Sequence, residues 1–274
     1  MKILIATDME GITGVTTWEQ VTPGHAEYAR FRKLMTQDVN AAIRGACDAG
    51  ADEVIVADGH WNGSNILIEE LDARASLNTG SPSPFSMMQG IDESVDGVFF
   101  IGYHARNGSP NAILDHTWSS KTVANVWLND MLTGEYGLNA AVAGHFGVPI
   151  IMVSGDQTAC AQVTDLLGDL ETAVVKQASG RFAADCLAPQ VTQGMICLSA
   201  ERAVARLAEG DITDPFVLDT PITVTVEFFT SDMADRAATI PFTKREGTRI
   251  SFTAQEMASA YKGFRAMVML AVSA

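Results

Sequence analysis

The residues best equipped for chemistry in this 274-residue chain sit in short clusters directly after apolar runs. Asp8-Met9-Glu10-Gly11 follows Ile3 to Thr7, and Asp58-Gly59-His60 follows Val54 to Ala57. Gly102-Tyr103-His104 follows Val98 to Ile101, and Ser154-Gly155-Asp156 follows Ile150 to Val153. Asp8 and Glu10, two positions apart, point to one side if the backbone stays extended, so both can address one ion. Each residue alone has a plainer use. Asp8 suits a turn or a helix cap, Glu10 a solvated charge, and His60 and His104 hydrogen-bonded structural histidines. Asp156 resembles the N-cap of a helix beginning at Gln157. The coincidence of Asp, Glu and two His after three separate runs is what points to metal. Surplus carboxylate beside neutral imidazoles suits two hard or borderline cations bridged by a carboxylate, rather than one ion with three or four ligands. The signatures of other chemistries are missing from the sequence: GxGxxG, the P-loop, HExxH and GxSxG.

These clusters need a scaffold. The four preceding runs are short and β-branched, as strands buried on both faces are. Between the first two, Tyr28, Phe31, Met35, Val39 and Ile43 recur three or four positions apart, which places them on one helix face, and Gly50 supplies the stop. Strand, helix, strand is a βαβ unit and implies a parallel sheet covered by helices. In such sheets ligands bind beyond the carboxyl ends of the strands, where the clusters lie. Ala140 to Phe146 reads as another covering helix. Later the period changes: Ile222, Val224, Val226 and Phe228 alternate with polar residues, as in a half-buried antiparallel strand. Thr253 and Glu256 form a capping-box pair for a final helix carrying Met257, Tyr261, Phe264 and Val268. The expected architecture is an α/β domain, a parallel sheet flanked by helices, over residues 1–209. A smaller α+β region over residues 210–274 follows, with the boundary between Glu209 and Pro221.

Composition limits the partners. With 18 Lys and Arg against 33 Asp and Glu, the net charge is −15. That balance argues against nucleic acid and against anionic membranes, both of which need concentrated positive charge. The opening apolar run meets Asp8 and Glu10 too soon for a signal peptide, and Ala140 to Val153, broken by His145, is too short to span a bilayer. Cys47, Cys160, Cys186 and Cys197 show no CxxC spacing and read as buried, inert, free thiols, so a cytoplasmic location is expected.

Beyond these clusters, Pro84-Phe85-Ser86-Met87, Gly102 to Arg106, Leu114-Asp115-His116-Thr117 and Gly134 to Asn139 follow in order along the chain. In this series the sequence resembles the M55 class of D-aminopeptidases, the dipeptide-transport-associated zinc enzymes. The likeness runs through most of the chain and thins after about Gly210. It implies two zinc ions bridged by Asp8, with Glu10 and His104 completing one ion's ligands and His60 and Glu135 the other's. It also implies that His116 is catalytic, as nucleophile or as proton shuttle. The implied substrates are amides and short peptides with N-terminal D-residues, and the implied assembly is a decameric homo-oligomer. Without the likeness, Glu135 reads as a surface turn residue and His116 as a loop histidine. His25 and His145 match no motif and are expected to be structural, while Arg106 and Asn129 are candidates to position substrate. Two other readings stay open on the same residues: another dinuclear hydrolase, such as an amidase or phosphoesterase, and a non-catalytic dipeptide-binding module.

Overall fold

The computed structural model describes residues 1–272. Every apolar run named above is a strand: β1 (Lys2–Thr7), β2 (Glu53–Asp58), β4 (Gly97–Tyr103) and β7 (Ile150–Asp156), with β3 (Ala75–Asn78) between the second and third. With β8 (Glu171–Gly180) and β9 (Ala183–Cys186) they form a seven-stranded sheet in the order β3-β2-β1-β4-β7-β8-β9. All neighbours pair in parallel except β8 and β9.

Alternation along each strand divides the apolar side chains between two cores. Ile3, Ile5, Val54, Val56, Phe99 and Ile101 pack under helices α1 (Tyr28–Asp48) and α4 (Pro189–Glu209). Leu4, Ala6, Ile55, Ala57, Val98 and Phe100 face the other way, toward α2 (Glu135–His145) and α3 (Gln157–Leu167). The expected α1 stripe is buried at Phe31, Met35, Val39 and Ile43, while Tyr28 is only partly covered. Both faces of the sheet are therefore covered at its centre, which is why β1, β2, β4 and β7 are largely apolar.

The second core continues into an antiparallel sheet that residues 210–274 do not build alone. Its order is β11-β12-β10-β5-β6, from β5 (Val123–Leu128), β6 (Met131–Thr133), β10 (Ile222–Phe228), β11 (Lys244–Glu246) and β12 (Arg249–Ala254). The register Val224 to Leu128 and Val226 to Val126 ties the C-terminal strand to a hairpin from the middle of the chain. Helices α5 (Ser231–Ala237) and α6 (Met257–Val272) complete this layer, and α6 buries Met257, Tyr261, Phe264 and Val268 as its spacing predicts. The capping-box expectation is corrected. Thr253 lies inside β12 opposite Thr223 and shares a hydroxyl contact with it, so α6 starts after Glu256 instead. Among the described residues, no helix is long and apolar enough to cross a membrane.

Candidate metal centre

The strand order reverses at β1: β2 lies on one side of it and β4 on the other. The carboxyl ends of β1 and β4 thus open the crevice where α/β sheets hold ligands. Two glycines let the backbones meet there. Gly102 takes φ +75°, and a side chain on it would strike the Asp8 carbonyl at 2.3 Å; one on Gly11 would strike the Tyr103 carbonyl at 2.0 Å. Through that contact the Gly11 amide donates to Gly102 and the Asp8 amide to Ile101. The chain turns immediately after β1, so Asp8 and Glu10 reach one place through a turn and not through an extended segment.

Asp8, Glu10, His60, His104, His116 and Glu135 are all buried, none more than 7% exposed. Nδ1 of His60 lies 3.2 Å from Asp8 Oδ1 and 3.2 Å from Glu10 Oε2. Nε2 of His104 lies 3.2 Å from Asp8 Oδ2 and 3.0 Å from Glu135 Oε1. The two oxygens of Asp8 therefore face different histidines. The short approaches pair Glu10 with His60 and Glu135 with His104, whereas the resemblance allots them the other way. Glu10 still shares a cluster with Asp8 and His104 whose ligand atoms lie within 4.8 Å of one another.

The outward nitrogen of each histidine is held by a carbonyl. His60 Nε2 donates to Val21, His104 Nδ1 to Ala105 and His116 Nδ1 to Leu114, at 2.7, 3.0 and 2.8 Å. This fixes the tautomer and leaves a lone pair on the inward nitrogen, as in metal-binding imidazoles. Glu10 Oε2 and His104 Nε2 are buried without any hydrogen-bond partner. Such orphans are costly unless a ligand satisfies them. Of these approaches only His60 Nδ1 to Asp8 Oδ1 has hydrogen-bond geometry, and the spacing near 3.2 Å matches the edges of a zinc shell, which are about 3.3 Å for bonds of about 2.0–2.1 Å. The donor set fits a bound metal cation. Burial alone would depress the His60 and His104 pKa values, but Glu10 and Glu135 respectively, each aided by Asp8, hold them well above the usual histidine range. Burial likewise opposes ionisation of Asp8, yet the two imidazoles keep its carboxyl well below the ordinary value. The pocket is thus built to exchange protons for positive ions.

His116 forms a second group of candidate ligands with His104 and Glu135, at longer approaches. Its ring stacks on His104 at 3.9 Å between centroids, and Nε2 is 3.7 Å from Glu135 Oε1 and 3.9 Å from Glu10 Oε1, longer than the other approaches. Burial, then the charge on His104, lowers its pKa. Its loop is pinned by Asp115, which pairs with Arg181 at 3.0 Å, and is strained at Leu114 and Trp118, both with left-handed φ. Glu135 opens α2 where β6 ends, and its Oε1 accepts from the Trp118 amide at 2.7 Å. That helix starts five residues earlier than the apolar run at Ala140 suggests. From its second turn Asn139 donates to Tyr103 and receives Tyr261.

Other candidates lie elsewhere. Asp58 accepts from the Asn65 and Ile66 amides and shapes the loop beyond His60. Asp156 caps α3 through the Thr158 and Ala159 amides. Asn129 sits in the turn between β5 and β6, bonded to Thr223 and Asp219, and the Arg106 guanidinium bonds the Asn107 carbonyl. Both stand outside the cavity over the cluster. His25, read as structural, is exposed and lines that cavity; His145 is exposed against Phe146. Of the cysteines only Cys160 is buried, and Cys186 is exposed on an edge strand.

The residue most easily overlooked in the sequence is Lys176. It is 1% exposed, and its Nζ donates to the carbonyls of Glu10, Ile12 and Val15 at 2.6, 2.9 and 2.8 Å. A lysine interrupting the apolar run Ala173-Val174-Val175 is the signal that marks it.

Fold and donor set together define an α/β protein with a buried, carboxylate-rich cluster of metal-ligand residue types at a sheet switch point. The chain belongs to the peptidase M55 family, D-aminopeptidase, which matches residues 1–266, and it is an enzyme of the aminopeptidase class. It is 35% identical over 274 residues to a D-aminopeptidase of Bacillus subtilis (strain 168), an alignment covering 99% of this chain and 98% of that one. It also superposes with a TM-score of 0.96 and 34% identity on the Zn-dependent D-aminopeptidase DppA from Bacillus subtilis, described as a self-compartmentalizing protease. That match covers 100% of this chain and 99% of the other.

Proposed function

We propose that the chain is a zinc-dependent aminopeptidase that releases N-terminal D-residues from short peptides and amides at a dinuclear centre. The observation that carries this is the buried convergence of five donors with Glu10 Oε2 and His104 Nε2 left unpartnered. Asp8 would bridge; the short distances favour His60 with Glu10 on one side of it and His104 with Glu135 on the other. When bound, two zinc ions supply Lewis-acid polarisation of the scissile carbonyl and make water ionisable near neutral pH. The residues do the rest. The carboxylate-lined floor draws the substrate's free amine, which restricts cleavage to the first residue. Nε2 of His116, its other nitrogen committed to Leu114, accepts the proton of the attacking water and returns it to the leaving amine. The preference for D over L rests on the family and the relatives' names.

An assay of D-alanyl, L-alanyl and phosphate ester substrates with one zinc-loaded preparation tests the reading. Turnover of the D-alanyl substrate above the L-isomer supports it, and turnover of the phosphate ester alone assigns a different dinuclear hydrolase. We propose further that the chain is cytoplasmic, with free thiols, and assembles into a decamer. Exposed Trp61, Val217 and Phe242 support an interface, and sedimentation of the intact protein at the monomer mass would overturn the assembly.

A further inference from the structure

Two cavities meet over the metal cluster and share the wall formed by Gly59, Trp61, Trp118 and Glu135. The smaller, about 240 Å³, runs toward Pro82, Met87 and Met269. The larger, about 510 Å³, contains Asp8, Glu10 and His116 at its floor and reaches Lys121, Ser119 and Ser120 on one flank. Its volume suits a small peptide, within the range of about 300–1,000 Å³ for ligand sites. Three of the four tryptophans of the chain, Trp18, Trp61 and Trp118, line it.

The charges of the larger cavity are polarised. Its floor is carboxylate and imidazole, whereas Lys121 is the one lysine or arginine among the described lining residues. Other cations nearby are already engaged: Arg181 by Asp115, Arg265 by the Ser83 and Pro84 carbonyls, and Lys176 by three carbonyls. Lys121 is exposed and, among the described residues, pairs with no carboxylate, although the protein carries 33 Asp and Glu. A free ammonium facing a cavity in a chain of net charge −15 is placed to receive an anion that arrives with the substrate.

We infer that Lys121 binds the C-terminal carboxylate of the substrate, making this an enzyme for short peptide acids in preference to peptide amides. This rests on the aminopeptidase reading: the amine end is held at the floor, the scissile carbonyl lies over the metals, and the leaving portion points up the larger cavity toward Lys121. Trp61 and Trp118 separate the two ends. Lys121 is a specificity residue and takes no part in proton transfer.

The test compares D-alanyl-D-alanine with its C-terminal amide, using the zinc-loaded full-length enzyme and its Lys121→Met and Lys121→Arg variants. The native enzyme favours the acid. In Lys121→Met the acid-to-amide ratio of kcat/KM falls at least about tenfold, the scale of one lost charge-assisted hydrogen bond, with the loss in KM rather than in kcat. Lys121→Arg restores most of the preference. Equal effects on acid and amide, or none on either, overturn the assignment while leaving the aminopeptidase reading in place. A native enzyme that cleaves neither substrate overturns both.

Discussion

His116 shows how a single side chain divides between ligand and catalyst. It shares the cavity with Asp8, Glu10, His60 and Glu135, yet its inward nitrogen stands 3.7 and 3.9 Å from the nearest carboxylates, against 3.0 to 3.2 Å for His60 and His104. A loop carries it, and that loop is anchored independently by Asp115 and Arg181. His116→Ala is therefore expected to keep its metal and its melting temperature while kcat falls at least ~10²-fold, the low end for general acid–base participation. His104→Ala, by contrast, is expected to lose metal. Metal content and kinetics measured on the same mutant preparations separate the roles; loss of zinc from His116→Ala would make it a ligand. Of the site, Asp8, Glu10, His60 and His104 were legible as chemistry because each directly follows an apolar strand. Glu135 was not. Its place depends on the hairpin of β5 and β6, whose pairing with β10 is invisible to any local pattern.

The loop between β1 and the short turn at Trp18–Gln20 is organised from a distance. Lys176, on β8, donates to three loop carbonyls, those of Glu10 and Val15 and that of Ile12, which also accepts from the Val15 amide. Lys176→Met should destabilise the fold by about 3 kcal/mol or more, since each bond to a charged donor is worth about 1.5–3 kcal/mol. It should also weaken metal binding about 10–100-fold, as loss of supporting contacts around a metal site does. Chelator competition beside thermal unfolding checks both, and unaltered metal affinity would reduce Lys176 to a packing residue. On α1, Asp38 accepts from the Thr13 amide and hydroxyl, and burial pushes its pKa up from 3.8 to about 6. A carboxyl raised on folding stabilises nothing once ionised. Its contribution is intact below about pH 3.8 and is lost as pH climbs through about 6, on the order of 3 kcal/mol. Asn can keep both contacts with Thr13, so Asp38→Asn should gain stability over the native protein progressively from about pH 4 to pH 6, with little further gain above about pH 7. Melting curves at those pH values decide it, and a difference independent of pH would contradict this account. The sequence revealed α1 and α6 through their periodic apolar faces. It misplaced the start of α6 because Thr253 satisfies a cap pattern locally while cross-strand pairing with Thr223 claims it.

Across the whole molecule, the parallel sheet was readable because strands buried on both faces must be apolar throughout. The second sheet was only half readable. Its C-terminal strand shows a clean alternation, but the partner strand β5 comes from the middle of the chain, and register across that separation leaves no trace in composition. The consequence is mechanical: Glu135 follows β6, so the C-terminal layer helps to deliver a candidate ligand to a crevice that the N-terminal strands open. Everything argued for catalysis depends on that crevice holding two ions. The most direct measurement is the metal content of purified, active protein, by mass spectrometric elemental analysis, before and after chelation and zinc return. About two zinc ions per chain are expected, with activity abolished on stripping and recovered as zinc is restored. Full activity in protein free of transition metal would contradict the account.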